Sequence, residues 1–358
     1  AMLISLTSSY PIESAAKMHQ FPLIEVAGTA REMGRQHGEQ AAALITRYLA
    51  WIEKSTGKDR DELGARARAF EPFIDTLNPL LLDEIRGLAE GAAIPYEHAL
   101  LCQARGEAVK APLEGCTAFA LNATATRHGQ TLAGQNQDLP PEFSDIGIVL
   151  HLKPSDGRPR AITFTFAGQL GYMGMNHLGV AHFANGLGNA EWRLATPHYP
   201  LKRTLLEQTD IPACLKIIEQ HRVTSAGNMV LCDGKQQIAD VEIRPEAIAH
   251  YADEHPDRRL HTNHYLSDEF TSYNKDAMAD SVPRLTRIRA LVQMHWGSID
   301  VDVMQEILAD HQGDPGAICR HGEGGSHSIC GYIAEPGKGL FHVRRGHGCL
   351  GTWTAYEV

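Results

Sequence analysis

The first third of the sequence carries apolar residues at the spacing of an α-helix. Thr29–Glu32 forms a capping box, in which a threonine oxygen and a glutamate carboxylate satisfy the first free backbone amides of a helix. Apolar residues then recur every three to four positions from Ile45 to Ile52, and Gly57 is suited to end that helix. Pro79 and Pro95 each stand at the start of a further helical pattern. The pattern predicts a helical segment that ends near residue 112.

From Cys116 onward, the pattern changes to short apolar runs separated by turn residues. Strands are predicted at Thr117–Leu121, Ile146–Leu152, Ala161–Phe166, Gly179–Phe183, Asn228–Cys232, Gln237–Ile243 and Ala247–Tyr251, and again between Ser326 and Tyr356. Helices are predicted among them at Leu201–Glu207, Ile211–His221, Val282–His295 and Val301–His311. Blocks of strands bracketed by helices favour an α+β fold with two mostly antiparallel sheets and helices outside them.

Composition and charge exclude several classes of protein. The chain has 358 residues, of which 43% are hydrophobic and 21% charged, so it can bury a core. Its formal net charge is -10 and it has no long run of Lys or Arg, which argues against nucleic acid as a partner. No window reaches the roughly 18 apolar residues that a membrane helix needs, so no membrane association is predicted.

The cysteine pattern and the start of the chain bear on its compartment. The seven cysteines are scattered, odd in number and contain no C-x-x-C pair, which argues against a disulfide framework and against a structural zinc site. Residues 1–17 lack the charged start and long apolar stretch of a secretory signal. Together these features predict a cytoplasmic protein.

Cys116 lies where the helical segment gives way to the first predicted strand. One interpretation is that it is simply the first buried residue of that strand. The other is chemical, because a thiol can attack the carbonyl of the preceding residue, and Gly115 has no side chain to obstruct the attack. Water would then release a new chain start at Cys116, whose α-amine has a reference pKa of about 7.7–8.0 and can accept the thiol proton.

Five motifs in order resemble those of one family. They are Gly115-Cys116-Thr117, Gly134–Asp138, Gly174–Val180, His261–His264 and Ile318-Cys319-Arg320, preceded by a helical opening at Gly28–Gly38. This series is similar to the acyl-coenzyme A:6-aminopenicillanic acid acyltransferase family, also called isopenicillin N acyltransferases. Members of that family are cysteine N-terminal-nucleophile hydrolases, and they are distantly similar to bile-salt hydrolases and penicillin V acylases.

The resemblance implies a fold and a maturation step. The implied fold is a four-layer αββα sandwich of the N-terminal-nucleophile hydrolase type. Self-cleavage between Gly115 and Cys116 would divide the chain into a mostly helical α-chain, residues 1–115, and a β-chain, residues 116–358. The two would remain together as one αββα domain, so the N-terminal fragment would be a bound partner of the rest.

The resemblance also implies roles for other residues. Asp138 would orient the α-amine of Cys116, although a turn aspartate before Pro140 is the structural alternative. Asn263 would donate its amide to the developing oxyanion. Arg320 would hold Asp138 ionised or lower the thiol pKa, with a surface arginine as the alternative.

A strand-end pair and two histidines complete the candidate site. Asn185 would contact the nucleophile region, and Gly186 would donate its backbone N–H to the oxyanion. His261 and His264 flank Asn263 and invite a zinc interpretation, but the pair lacks the usual H-E-x-x-H pattern. Ordinary hydrogen-bonded histidines are the favoured interpretation, and no metal or cofactor is predicted.

The sequence therefore predicts a self-processing cysteine amide hydrolase or acyltransferase that acts on small acylated amines, amides or acyl thioesters. Cys116 would carry the acyl group, and water or a second amine would release it. Three alternatives stay open: a papain-like hydrolase with a separate histidine, an uncleaved relative that only binds small molecules, and a metal-dependent amidase. The oligomeric state is also open, with a homo-oligomer among the possibilities.

Overall fold

The computed structural model describes residues 19–110, 115–321 and 325–358. The helices of this part are α1 (Ala30–Thr56), α2 (Arg60–Ala67), α3 (Glu71–Leu77), α4 (Pro79–Ala92), α5 (Tyr96–Gln103), α6 (Arg105–Val109), α7 (His198–Leu205), α8 (Ile211–Gln220), α9 (Ser281–Met294) and α10 (Val301–Ile307). The strands are β1 (Leu23–Gly28), β2 (Gly115–Ala123), β3 (Gly129–Leu139), β4 (Gly147–Pro154), β5 (Ala161–Phe166), β6 (Met173–Asn176), β7 (Ala181–Gly186), β8 (Gly227–Cys232), β9 (Ile238–Ile243), β10 (Ile248–His250), β11 (Arg258–His261), β12 (His327–Glu335), β13 (Leu340–Arg345) and β14 (Thr352–Glu357).

The strands form two sheets. One has eight strands in the order β1-β4-β5-β6-β7-β8-β9-β10, and the other has six in the order β11-β2-β3-β12-β13-β14. Only the β1–β4 pair is parallel among the strands described here, and the remaining pairs are antiparallel. The two mostly antiparallel sheets predicted from the sequence are confirmed.

The sheets face each other, and helices cover their outer sides. Tyr332 of the six-stranded sheet packs against Phe164 and Phe183 of the eight-stranded sheet, with ring centroids 5.2 and 6.4 Å apart. Helices α1, α4 and α5 share the main core with the eight-stranded sheet, and α7 and α8 pack on its β7–β9 end. Helices α9 and α10 form a separate core with the six-stranded sheet. The resulting order of layers is αββα, which confirms the predicted fold class.

Helix α1 begins and ends as its sequence predicts, and it packs on α4 through glycine. Thr29 and Glu32 form both hydrogen bonds of the capping box, and Gly57 ends the helix with φ +64°. At the crossing, a Cβ on Gly34 would lie 1.9 Å from the carbonyl oxygen of Glu84, and one on Gly87 would lie 2.1 Å from that of Arg31. The two helix backbones therefore touch, which no larger residue would allow.

The structure departs from the predicted elements in the N-terminal third. Residues Leu23–Gly28 form strand β1, which was not among the elements predicted for this mostly helical segment. Only alternate residues of β1 are buried, because it is the edge strand of its sheet, and its sequence is too short to show that alternation clearly. Helices α2 and α3 were also not predicted, since they are one to two turns long and carry few periodic apolar residues.

All seven cysteines are free thiols; six are buried and Cys349 is exposed. Within the described ranges, no helix combines the length and the apolar character that crossing a membrane requires.

Helix α1 carries a buried histidine that should make stability depend on pH. His37 is fully buried, and its Nε2 accepts a hydrogen bond from the Gly168 N–H at 3.1 Å, so the ring must be neutral at that atom. Burial, followed by the nearby charge of Arg203, lowers the pKa of His37 to about 3. A histidine in the unfolded chain has a pKa of about 6.5. Below that pH, position 37 is therefore protonated in the unfolded chain while it stays neutral in the native state.

The stability contributed by neutral His37 should therefore be present above about pH 6.5 and be lost as the pH falls. Between about pH 7 and pH 5, we expect the free energy of unfolding to fall less steeply with falling pH in a His37→Gln variant than in the wild type. The difference between the two slopes should be at most about 1.4 kcal/mol per pH unit. Urea denaturation of both proteins across this range measures the two slopes. Replacing the exposed His250 by alanine is the control and should keep the wild-type slope; equal slopes in wild type and His37→Gln would contradict the expectation.

Candidate active site

Strand β2 places the Gly115–Cys116 bond inside the molecule. Gly115 pairs with Asp138 of β3, and Cys116, only 2% exposed, pairs with Gln137. A Cβ on Gly115 would lie 3.0 Å from Asp138 Oδ2 and 3.1 Å from Asp138 Cβ. The aspartate side chain therefore covers the glycine closely, and this close approach explains why position 115 suits a residue without a side chain.

Polar side chains hold both the thiol and the carbonyl group of Cys116. Gln137 Nε2 donates to Cys116 Sγ at 3.2 Å. Arg284 of α9 donates from Nη1 to the Cys116 carbonyl oxygen at 2.5 Å and to Thr117 Oγ1 at 3.1 Å. These contacts fix the backbone directly after the candidate cleavage point.

Asn263 contacts the backbone nitrogen of Cys116. Its Oδ1 accepts from Cys116 N at 3.0 Å and from Arg284 Nη2 at 2.7 Å, while its Nδ2 donates to the Gly186 carbonyl oxygen at 3.0 Å. The Asn263 side-chain oxygen thus accepts two hydrogen bonds and its nitrogen donates one. These partners determine the orientation of the Asn263 amide. Asn263 is thus held at the very nitrogen that cleavage would turn into an α-amine.

Asp138 lies within strand β3 rather than in a turn before Pro140, and it is fully buried. Its Oδ1 accepts from Ser328 Oγ at 2.5 Å, and its Oδ2 lies 3.4 Å from Arg320 Nε. Burial raises the pKa of Asp138, while the nearby Arg320 and Arg284 guanidinium groups and the Ser328 hydroxyl act in the opposite direction. The balance of these effects leaves the pKa of the Asp138 carboxyl group above that of an ordinary aspartate.

Charges of alternating sign connect these residues into a network. Arg320 is buried, not a surface arginine, and its Nη2 lies 2.8 Å from Asp280 Oδ2. Asp280 in turn accepts from Arg284 through Oδ1, at 2.9 Å from Nη2. The series Asp138–Arg320–Asp280–Arg284 thus runs from the Gly115 side of the bond to the Cys116 side, and each buried charge has an opposite neighbour.

Asn185 and Gly186, at the end of β7, lie beside Asn263. Asn185 Nδ2 donates to the His261 carbonyl oxygen at 3.3 Å, and Asn185 Oδ1 is buried without a hydrogen-bond partner among the described residues. Gly186 offers its carbonyl group to Asn263, and the residue pairs with Gly227 of β8. The structure brings both candidates to the nucleophile, while a donor role for the Gly186 N–H stays a prediction.

The histidines that flank Asn263 have protein partners. His261 uses Nε2 with Glu242 Oε1 at 2.9 Å and Nδ1 with the Thr262 carbonyl oxygen at 2.8 Å. His264 Nδ1 lies 2.7 Å from Ser281 Oγ. Both ring nitrogens of His261 are thus engaged, which supports hydrogen-bonded histidines over a zinc pair at this position.

Sequence reasoning missed Gln137 and Arg284 as members of this site. Gln137 had a usable signal, because it stands directly before Asp138 in the Gly134–Asp138 motif, and the pairing of β2 with β3 places it opposite Cys116. Arg284 had none, since α9 approaches Cys116 only through tertiary packing. Both contact Cys116 directly.

A cavity of about 520 Å³ opens beside Cys116. Cys116, Gln137, Asn185 and Gly186 are among the residues that line it. Its wall also includes aromatic and charged residues: Tyr172, Trp192, Tyr199, Arg105, Glu107, Lys110, Lys202 and Asp276. Its volume suits a small molecule rather than a polymer.

Solved structures similar to the chain include three that represent two proteins. Two are single-residue variants of conjugated bile acid hydrolase from Clostridium perfringens (12% identity each, TM-scores 0.45 and 0.44), and the third is penicillin V acylase from Agrobacterium tumefaciens (11%, 0.47). Each alignment covers 68% of this chain, together with 97%, 97% and 86% of the respective structure. No curated protein sequence gives a match.

One family model matches the sequence. The model of acyl-coenzyme A:6-aminopenicillanic acid acyl-transferase matches residues 125–344, more than half of the chain. The matched range includes Asp138, Asn185, Asn263 and Arg320, and it begins after Cys116. The chain therefore belongs to the acyl-coenzyme A:6-aminopenicillanic acid acyl-transferase family and is an enzyme of the acyltransferase class, as its motifs predict.

Proposed function

We propose that this enzyme cleaves itself before Cys116 and then hydrolyses or transfers the acyl group of small acylated amines or amides through an acyl-enzyme on Cys116. The observation that carries the proposal is the position of Cys116. Its thiol lies at the cavity, its backbone nitrogen is held by Asn263, and its bond to Gly115 is covered by Asp138.

Self-cleavage would begin with attack of Cys116 Sγ on the Gly115 carbonyl carbon. The bond from that carbon to the Cys116 nitrogen breaks, the nitrogen takes a proton, and a thioester joins Gly115 to the thiol. Water then hydrolyses the thioester, giving a Gly115 carboxylate and free Cys116. Asp138 and Asn263 lie on the two sides of the broken bond, where they can donate to or accept from the groups that change charge.

Turnover would reuse the thiol with the newly formed α-amine as its base. The amine takes the thiol proton as sulfur attacks the substrate carbonyl, and that proton then passes to the departing amine. Asn263, with Gly186 beside it, would stabilise the oxyanion of the tetrahedral intermediate. Water or a second amine then releases the acyl group and restores the thiol.

The two fragments would remain one domain. Strand β1, from the N-terminal side of the cleavage point, pairs with β4 from Leu23↔Val149 to Gly28↔Pro154. Helices α1, α4 and α5 share their core with strands that follow Cys116. Arg105 and Glu107 of α6 also line the cavity, so the fragment that ends at residue 115 would complete the substrate site.

The cavity charges favour a substrate with an anionic group. Arg105 and Lys202 are both buried at its wall, and Lys202 Nζ lies 4.4 Å from the centroid of the Tyr172 ring. A buried cation attracts a carboxylate more strongly than the same cation in water, because solvent screens the two charges less. We therefore infer that acylated amino acids and similar anionic amides bind better than neutral amides.

Replacing Lys202 by methionine should raise KM for an N-acyl amino acid about tenfold, because it removes one hydrogen bond to a charged group. KM for the matching neutral amide should change far less. Steady-state kinetics on this pair of substrates measures the difference. Lys216→Met, on the exposed face of α8, is the control and should leave both values unchanged. Equal effects of Lys202→Met on the two substrates would contradict the anionic preference.

The free thiols support a reducing, cytoplasmic location. A homo-oligomer remains a proposal. An uncleaved relative that only binds small molecules is the second candidate function, and the buried position of Cys116, at 2% exposure, is the observation that favours it.

Trapping of the acyl-enzyme tests the proposed function. The protein is mixed with a set of small N-acyl amides and acyl thioesters, quenched in acid and measured by mass spectrometry. A fragment that begins at Cys116 and carries the added acyl mass is the expected result. An unmodified Cys116 with every substrate, in a protein that binds those substrates, would favour the binding-protein function instead.

A further inference from the structure

Two histidines and two cysteines that the proposed function does not use meet at one end of the six-stranded sheet. His311 follows α10, Cys319 and His321 precede β12, and Cys349 lies between β13 and β14. Each residue offers one ligand atom, a ring nitrogen or a sulfur, and these four atoms all lie within 4.8 Å of one another. We propose that these four residues form a structural site for a tetrahedral, thiophilic divalent metal ion, with Zn²⁺ as the expected ion.

The distances are near those of such a site, and those that reach up to 4.8 Å would have to shorten on binding. In a tetrahedral site with Zn–N of about 2.0–2.1 Å and Zn–S of about 2.3 Å, ligand atoms lie about 3.3–3.8 Å from one another. Cys349 Sγ is 3.4 Å from His321 Nε2, which already falls in that range. The Nε2 atoms of His311 and His321 are 2.7 Å apart, so the two rings would have to separate by about 0.6 Å.

The ligand types select the metal. Two thiols and two imidazoles form the Cys₂His₂ set of structural zinc sites, whereas Ca²⁺ and Mg²⁺ require oxygen ligands. Four protein ligands leave no open position, which identifies a structural rather than a catalytic ion. Cys319 is buried, His311 and His321 are half-buried and Cys349 is exposed, so an ion can enter from solvent.

The site would join three separate segments. It links the end of α10, the turn that leads into β12, and the connection between β13 and β14. Arg320 lies between two of the ligands, Cys319 and His321, and its side chain reaches Asp138 and Asp280. A bound ion would therefore fix the backbone on both sides of this arginine.

Cobalt binding tests the site without depending on catalysis. The full-length protein is reduced, freed of metal with a chelator and titrated with Co²⁺, which gives strong visible absorption in tetrahedral sites and a thiolate charge-transfer band. We expect binding of about one Co²⁺ per chain, displacement by Zn²⁺, and a higher thermal midpoint with metal bound. The readout is independent of self-cleavage and of amide hydrolysis, so failure of the proposed function would leave it intact.

Variants at the ligands decide whether these residues bind the ion. Cys349→Ser and His311→Ala should each weaken Co²⁺ binding more than about a hundredfold, because each removes a direct ligand. His250→Ala, at an exposed histidine on β10, should bind as the wild type does. Absence of the tetrahedral spectrum, or its persistence in both ligand variants, would overturn the proposal. So would reduced protein that binds no Co²⁺ while Cys319 and Cys349 form a disulfide in air, because the pair would then be a redox pair.

Discussion

The Cys116→Ala variant is expected to remain one uncut chain of 39.3 kDa, whereas the wild type should yield two fragments that meet between Gly115 and Cys116. Alanine lacks the nucleophile that attacks the Gly115 carbonyl, and the same loss removes the group that carries the acyl intermediate. We expect amide hydrolysis to fall by a factor on the order of 10⁶, the cost of removing the nucleophile in a well-studied serine protease. Intact-mass measurement of freshly purified protein gives the first result directly.

The matched control is Cys102→Ala, which removes another buried thiol, on α5. That variant should cleave as the wild type does. If wild type and Cys116→Ala both stay uncut, labelling with iodoacetamide separates two cases. Selective labelling of Cys116 would indicate a stalled precursor, while an unreactive Cys116 would contradict its role as the nucleophile.

Most helices and strands of the fold could be predicted from local sequence patterns. The capping box at Thr29, the strand Ala161–Phe166 and the opening of α4 at Asn78-Pro79 all occur where they were predicted. Each depends on contacts between residues close in sequence, such as a side chain that bonds a backbone amide three positions away. Strand β1 depends instead on β4, more than a hundred residues later, and no local pattern marked it.

Some residues of the candidate site could likewise be predicted from local motifs, and others could not. Asp138, Asn263 and Arg320 were found through motifs, and the structure brings them together around Gly115–Cys116. Arg284 was not found, because its role arises from packing of α9 against β2 and β11 and its own neighbours carry no motif. Its burial and its contacts to Cys116 and Asn263 become visible only in three dimensions.

The proposed metal site shows a limit of spacing arguments. The sequence predicts no structural zinc site, because it has no C-x-x-C pair and ligands in small zinc motifs come in close pairs. Here Cys319 and Cys349 are thirty positions apart, and the antiparallel pairing of β12 with β13 brings them to one end of the six-stranded sheet. His311 reaches the same place from the end of α10.

The Asn263→Ala variant is expected to lose about 10²–10³-fold in kcat for amide hydrolysis, the cost of removing one side-chain donor from an oxyanion site. Asn263 has two functional groups near the nucleophile. Its Oδ1 accepts from the Cys116 nitrogen, and its Nδ2 is a donor that now contacts the Gly186 carbonyl oxygen. Alanine removes both, so this variant alone cannot tell whether the acceptor or the donor matters for catalysis.

Asn263→Asp separates the two roles. Aspartate keeps an oxygen that can accept from the Cys116 amine and can pair with Arg284, but it has no donor for an oxyanion. If Asn263 serves only to orient the amine, Asn263→Asp should retain most of the activity that Asn263→Ala loses. If the donor matters, as we expect, aspartate should be at least as slow as alanine, because its charge also repels the developing oxyanion. Kinetics on protein already shown to be cleaved, with circular dichroism to confirm folding, restricts the comparison to turnover. A near-normal rate for Asn263→Asp would contradict the oxyanion role and leave Asn263 as a positioning residue for the Cys116 amine.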